Sequence, residues 1–87
     1  MDRQAIAQAL GSEVRHSMSV KGGDINEATM VRLNDGRTIF IKSHANPPPG
    51  MFAAEAAGLD WLKDGPLRVP RVIAVSDDWL ALEWLEL

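Results

Sequence analysis

The sequence predicts an α+β domain: one antiparallel sheet of about five strands, a helix packed on it, and a short helix at the N-terminus. Three observations carry that reading. Segments with strand-like alternation outnumber helical ones, their connections are too short for parallel crossovers, and a triple proline separates the third strand from the longer helix.

Each element has its own signal. "DRQAIAQALG" opens on Asp2 as an N-cap, carries Ile6 and Leu10 at helical spacing and closes on Gly11 as a C-cap, so a short helix is expected. "EVRHSMSV" puts Val14, His16, Met18 and Val20 on one side of a strand; "GGDIN" interrupts, and "EATMVRL" resumes the alternation. Asn34-Asp35-Gly36 tolerates positive φ, which makes "TMVRL" and "RTIFIK" a hairpin. "ANPPPG" lacks donors and favours polyproline II, so it is a connector. A helix is expected from about Gly50 to Lys63, ended by "GPLRVP". Finally, "RVIAVSDDWLALEWLEL" reads as two strands around a Ser76-Asp77-Asp78 turn.

Bulk properties narrow the function classes. With 87 residues the chain makes one small domain with a thin core, so half of a larger fold is an open reading. Nine Lys+Arg against 12 Asp+Glu give a net charge of -3, no field that would gather nucleic acid or an anionic membrane. There is no cysteine, hence no disulfide, thiolate catalysis or Cys-ligated zinc, as befits a reducing compartment. No apolar run approaches the roughly 20 residues that span a bilayer, and the start has no signal-peptide core. A soluble, cytoplasmic chain is expected. Because "LALEWLEL" stays apolar to the last residue, the chain reads as truncated, and a lone copy is expected to self-associate through the apolar sheet face or the last strand's unpaired edge.

Two charged residues break the apolar pattern. Phe52, Glu55, Leu59 and Leu62 share a helix face, which sets a carboxylate inside the packing stripe. A lone buried carboxylate costs several kcal/mol or takes up a proton unless a cation meets it. Lys42, ending the preceding strand on the side of Thr38 and Phe40, is the candidate cation. A strand lysine paired with a helix glutamate is the device by which protein kinases hold the α and β phosphates of ATP. Gly22-Gly23 stands between the first two strands, where kinases keep a phosphate-covering loop, although the G-x-G-x-x-G spacing is absent. The apolar strand running into Glu83-Trp84-Leu85 occupies the place of the kinase hinge.

With Gly22-Gly23-Asp24-Ile25-Asn26, Ile39-Phe40-Ile41-Lys42, Met51-Phe52 leading to Glu55-Ala56 and Gly58-Leu59, and Val69-Pro70 before Val72-Ile73, the chain resembles the fructosamine (ketosamine) kinase family over nearly its whole length. That resemblance implies a protein-kinase-like fold, related to aminoglycoside phosphotransferases, of which residues 1–87 would be the N-terminal, ATP-binding lobe. It implies MgATP-dependent phosphorylation of a sugar hydroxyl of ketosamines, typically the 3-hydroxyl of the fructosamine formed when an amine is glycated. Lys42 would anchor phosphate and Glu55 would be its helix partner. Gly22, Gly23, Asp24, Ile25 and Asn26 would cover the phosphates through backbone N–H groups. Leu82, Glu83, Trp84 and Leu85 would form the hinge, offering the Glu83 carbonyl and the Leu85 N–H to adenine. Some relatives carry cysteine where Asp24 stands, so a thiol switch there is closed to this chain. The family's catalytic and metal-binding aspartates belong to a C-terminal lobe, so residues 1–87 alone are expected to be inactive, and no residue here is assigned as a Mg²⁺ ligand.

Two other readings stay open: a kinase for another hydroxyl acceptor, aminoglycoside- or choline-kinase-like, and a non-catalytic kinase-like interaction module. His16, on the inward side of a strand, and His44 lack companions at metal-ligand spacing. Trp61, Trp79 and Trp84 read as core or rim packing, with Trp84 a candidate neighbour of adenine. Met18, Met30 and Met51 occupy apolar positions, and Asp77-Asp78 is explained by turn chemistry.

Overall fold

The computed structural model describes residues 2–20 and 27–85. Helix α1 (Arg3–Leu10) leads into β1 (Val14–Val20), β2 (Glu27–Leu33) and β3 (Thr38–Ser43); then come α2 (Met51–Leu62), β4 (Val72–Val75) and β5 (Trp79–Glu83). The five strands form one sheet in the order β1-β2-β3-β5-β4, every neighbouring pair antiparallel. The predicted α+β class and antiparallel sheet are thus observed.

Local chemistry accounts for the boundaries. The Asp2 carboxylate accepts from the N–H groups of Gln4 and Ala5, both at 3.1 Å, and Gly11 closes α1 with φ 75° while its N–H donates to Ala7. In the β2–β3 hairpin the Gly36 N–H donates to Leu33 at 3.0 Å and the Leu33 N–H to Arg37 at 2.9 Å. Of the three turn residues only Gly36 takes positive φ, 93°, the glycine position of a three-residue hairpin loop. Gly50 caps α2 through its backbone alone, its carbonyl accepting from the Ala54 N–H, so the helix starts without a side-chain cap.

The pleat sorts residues onto two faces, and each face receives one helix. On the first, Val31, Leu33, Ile39, Ile41, Trp79 and Ala81 pack against Ile6 and Leu10 of α1. On the second, Leu80 and Leu82 pack against Phe52 of α2, with Phe40, Met51, Ala56, Leu59 and Val72 half-buried around them. β3 and β5 are therefore covered on both sides, which is why Ile41, Leu80 and Ala81 are wholly buried. This corrects the expectation that the last strand is an exposed, unpaired edge: β5 lies between β3 and β4, its residues 79–82 belong to the core, and the edge strands are β1 and β4.

Three further expectations change. The β1–β2 register slips between Val14 and His16, so Val14 faces α1 while His16, Met18 and Val20 take the other face. His16 is exposed there, and so is Met18. Leu62 is 45% exposed and Trp61 82%, because the α2 stripe that meets the sheet stops at Leu59. Trp79, by contrast, is the core tryptophan. Among the described residues no helix is long and apolar enough to cross a membrane.

Candidate functional site

Register alone brings the proposed lysine beside the helix. Lys42 lies between Ala28 on β2 and Leu80 on β5, on the face shared with Phe40 and Leu82, and α2 crosses that face. Glu55 stands one turn after Phe52, the most buried residue of α2, so anchoring Phe52 carries the carboxylate to the sheet. The Lys42 Nζ donates to Glu55 Oε2 at 2.6 Å, with side chains 22% and 33% exposed. The expected contact is present. One ammonium proton is committed to the carboxylate, two remain for other acceptors, and the pair is accessible enough for a ligand to reach it.

The approach to Lys42 is set by the same register. Val20, Ala28, Lys42 and Leu80 form one row across four strands spaced about 4.8 Å apart. Val20 and Glu27 flank the segment 21–26, so the connection carrying Gly22, Gly23, Asp24, Ile25 and Asn26 starts and ends next to this row; those five residues lie outside the described ones.

On the same face, two residues or about 7 Å further along β3, a cleft of 270 Å³ is walled by Val20, Phe40, Pro70 and residues 82–85. The four predicted hinge residues Leu82, Glu83, Trp84 and Leu85 all line it. Phe40 and Trp84 pack against each other in its lining, ring centroids 6.1 Å apart and tilted by 40°. Val20, Phe40 and Pro70 were missed as site residues. Phe40 was legible, since strand alternation puts it on the face of Lys42, whereas Val20 depends on the β1 bulge and Pro70 on the return path from α2.

A larger hollow of 430 Å³ opens at Ser43 and Trp79, on the α1 face of the sheet, across it from Lys42. Asp2, Glu27 and Asp78 line it, carboxylates that repel phosphate, and it does not communicate with the lysine through the sheet. Anionic-ligand chemistry therefore belongs to the Lys42 face. Among the described residues no group of three or more His, Cys, Asp and Glu is placed to hold a metal ion.

Comparison with known proteins agrees with this geometry. The family model for fructosamine kinase matches residues 2–87. A probable ketoamine kinase of Thermus thermophilus is 39% identical over 99% of this chain, and one of Staphylococcus aureus is 31% identical, also over 99%; the chain spans 31% of the length of each. A solved structure from Thermobifida fusca, described as a putative fructosamine-3-kinase, superposes with a TM-score of 0.82 at 31% identity, covering 98% of this chain and 31% of that one. From the two-faced five-stranded sheet, the lysine–glutamate pair on its α2 side and these matches together, the chain belongs to the fructosamine kinase family.

Proposed function

We propose that residues 1–87 are the ATP-binding lobe of a ketosamine kinase, in which Lys42 holds nucleotide phosphates and the cleft at residues 82–85 takes the adenine. The observation that carries this is the Lys42–Glu55 pair at 2.6 Å, on the same sheet face as the apolar cleft. The donor set suits ATP: the apolar surface of Phe40, Leu82 and Trp84 can take one face of a purine, main-chain groups at Glu83 and Leu85 offer polar contacts, and Lys42 supplies positive charge about two residues away. Glu55 orients the ammonium. The segment 22–26, which follows Val20 and precedes Glu27, would cover the phosphates with backbone N–H groups.

Among the described residues no group of three or more His, Cys, Asp and Glu is placed to hold the Mg²⁺ that accompanies ATP. Its ligands, the catalytic base and the acceptor pocket are assigned to a C-terminal lobe outside residues 1–87. The chain alone is accordingly proposed to be inactive, because phosphoryl transfer depends on positioning and charge neutralisation from both sides of a cleft. The acceptor we propose is a sugar hydroxyl of a ketosamine or glycated amine, in the cytoplasm, on the strength of the family and of the absence of cysteine. Nucleic acid and membrane are not among the proposed partners. Self-association of an isolated 87-residue chain remains part of the proposal, and a species that sediments as a monomer at high concentration removes it.

The test is direct. The full-length protein carrying this chain, given MgATP and a fructosamine, is expected to release ADP and yield a phosphorylated ketosamine. ADP release with an aminoglycoside or choline, and none with ketosamines, would transfer the activity to another acceptor class; no nucleotide binding at all would favour the non-catalytic module.

A further inference from the structure

The side chain of Glu83 points away from the cleft, and yet it is the most heavily engaged group at the hinge. Glu83 shares the sheet face of Ile39 and Ala81, opposite to Phe40 and Leu82, so what it presents to the cleft is its main chain. Opposite it on the β4 side stands Arg71, the residue before that strand begins. The Glu83 N–H donates to the Arg71 carbonyl at 2.9 Å. In an ordinary antiparallel pair the exchange is reciprocal, and the Arg71 N–H would donate to the Glu83 carbonyl. Here the Arg71 N–H donates instead to the Glu83 carboxylate, at Oε1, 3.3 Å away. The second oxygen, Oε2, takes the guanidinium of Arg68 at 3.4 Å.

This substitution has a consequence for the carbonyl. In an antiparallel strand a residue's N–H and C=O point to the same neighbour, so the Glu83 carbonyl points toward Arg71, as its N–H does, and not toward β3. Its natural donor there has been taken by the carboxylate. Among the described residues no backbone hydrogen bond outside the strand ladders uses that carbonyl. Among the described residues its acceptor capacity is thus unused, in a residue that lines the cleft.

We infer that the Glu83 carboxylate is a positioning residue: by capping the Arg71 N–H it keeps the Glu83 carbonyl free to accept a hydrogen bond from an exocyclic amine on a bound purine. The inference rests on the nucleotide-binding reading above and adds a role for a side chain that never touches the ligand. Arg68 holds the carboxylate from the solvent side. Being 73% exposed, it contributes little by itself. The acceptor function of the side chain matters more than its charge, and this separates the informative variants.

The experiment measures, in the full-length protein, the affinity for ATP and for purine riboside triphosphate, which lacks the 6-amino group. The wild type is expected to prefer ATP by about three- to tenfold, the size of one hydrogen bond. Glu83→Gln keeps an acceptor for the Arg71 N–H and is expected to keep that ratio. Glu83→Met has about the same length with only a weakly accepting thioether; the Arg71 N–H then turns to the carbonyl, KM for ATP rises, kcat holds, and the ratio falls toward one. A hinge residue with a merely structural role would weaken both nucleotides alike and leave the ratio unmoved. Glu83→Ala and Glu83→Leu, checked for folding by circular dichroism, repeat the comparison in case methionine is not tolerated. An undiminished ratio in any folded variant without an acceptor overturns the assignment, as does a wild type that binds ATP and its analogue equally. A wild type that binds neither instead overturns the nucleotide reading itself.

Discussion

Replacing Lys42 by methionine in the full-length protein separates what the lysine does for the fold from what it does for chemistry. Methionine keeps the aliphatic stem packed between Ala28 and Leu80 and removes only the ammonium. At the observed 2.6 Å separation the Coulomb attraction to Glu55 is about 6 kcal/mol for an effective dielectric of 20 and about 2 kcal/mol for bulk water. Taking two ions partly out of water offsets most of that. With a quarter to a third of each side chain still wet, the net loss should be close to that of a surface pair, about 1 kcal/mol. The Glu55 left behind is accessible enough to rehydrate. In a full-length protein of the relatives' size, of which this chain is 31%, such a loss lowers the melting temperature by about 2–4 °C at most. Turnover should suffer far more. Removing an electrostatic stabiliser aimed at transferring phosphoryl oxygens costs on the order of tenfold to a thousandfold, or about 1.4–4 kcal/mol of barrier. ADP release with MgATP and a ketosamine gives the rate, and urea denaturation of the same preparation gives the stability. Turnover within about twofold of wild type, in a protein that has lost stability as calculated, would show that Lys42 is a structural ion-pair partner and nothing more.

Three smaller perturbations test the frame around the site. Asp2→Ala removes the acceptor of two N–H groups at the start of α1 and should cost about 1 kcal/mol in urea denaturation; no change would mean that α1 does not need its cap. Gly36→Ala meets no atom within 4 Å of its added Cβ, so its cost is the left-handed backbone alone, about 1–2 kcal/mol; a neutral result would imply that the hairpin relaxes. The Asp35 carboxyl is held below the ordinary aspartate range, first by the hydrogen bond from the Arg37 backbone N–H and then by the Arg37 guanidinium. A depressed folded-state value means that its contribution is complete above the unfolded value of about 4 and is lost as pH falls through the folded one. Carboxyl-detected NMR titration should place Asp35 below the ordinary aspartate value of about 3.9, and a midpoint at or above that value would refute the contact.

Legibility from sequence followed the range of the interaction. Asp2, Gly11 and Gly36 act within a few residues, and their caps and turn appear where the sequence put them. The Lys42–Glu55 pair is 13 residues apart but was legible because both break a period, one on a strand and one on a helix, and the fold had to bring a cation to a carboxylate inside a packing stripe. What could not be read was anything decided by the order of strands. "LALEWLEL" looks the same whether it is an exposed edge or an interior strand, and only the insertion of β5 between β3 and β4, with a helix on each face, makes its residues 80–82 core. A one-residue slip at β1 likewise changed the face of His16, Met18 and Val20 relative to Val14, and alternation by itself carries no sign of it.

The two helices divide the labour of the domain. α1 is capped by a side chain at its start and by a left-handed glycine at its end, and it seals a cluster in which Ile6, Val31, Leu33 and Ile41 are wholly buried. α2 is longer but less firmly held: it has no side-chain cap, Phe52 is its only buried residue, and Ala53, Ala54, Ala57 and Trp61 face solvent. Local stability tracks buried apolar contact, so α2 belongs to the weaker end of the domain and α1 with the central strands to the stronger. The one polar bond that ties α2 to the sheet among the described side chains is Glu55 to Lys42. The element that orients the lysine is therefore also the element most easily displaced, and the same contact that presents an ammonium to a phosphate holds α2 against the sheet. An anion bound at Lys42 and the seating of α2 are then linked quantities: a ligand that pairs with Lys42 while Glu55 stays in place stabilises α2, and one that draws Lys42 away from Glu55 loosens it.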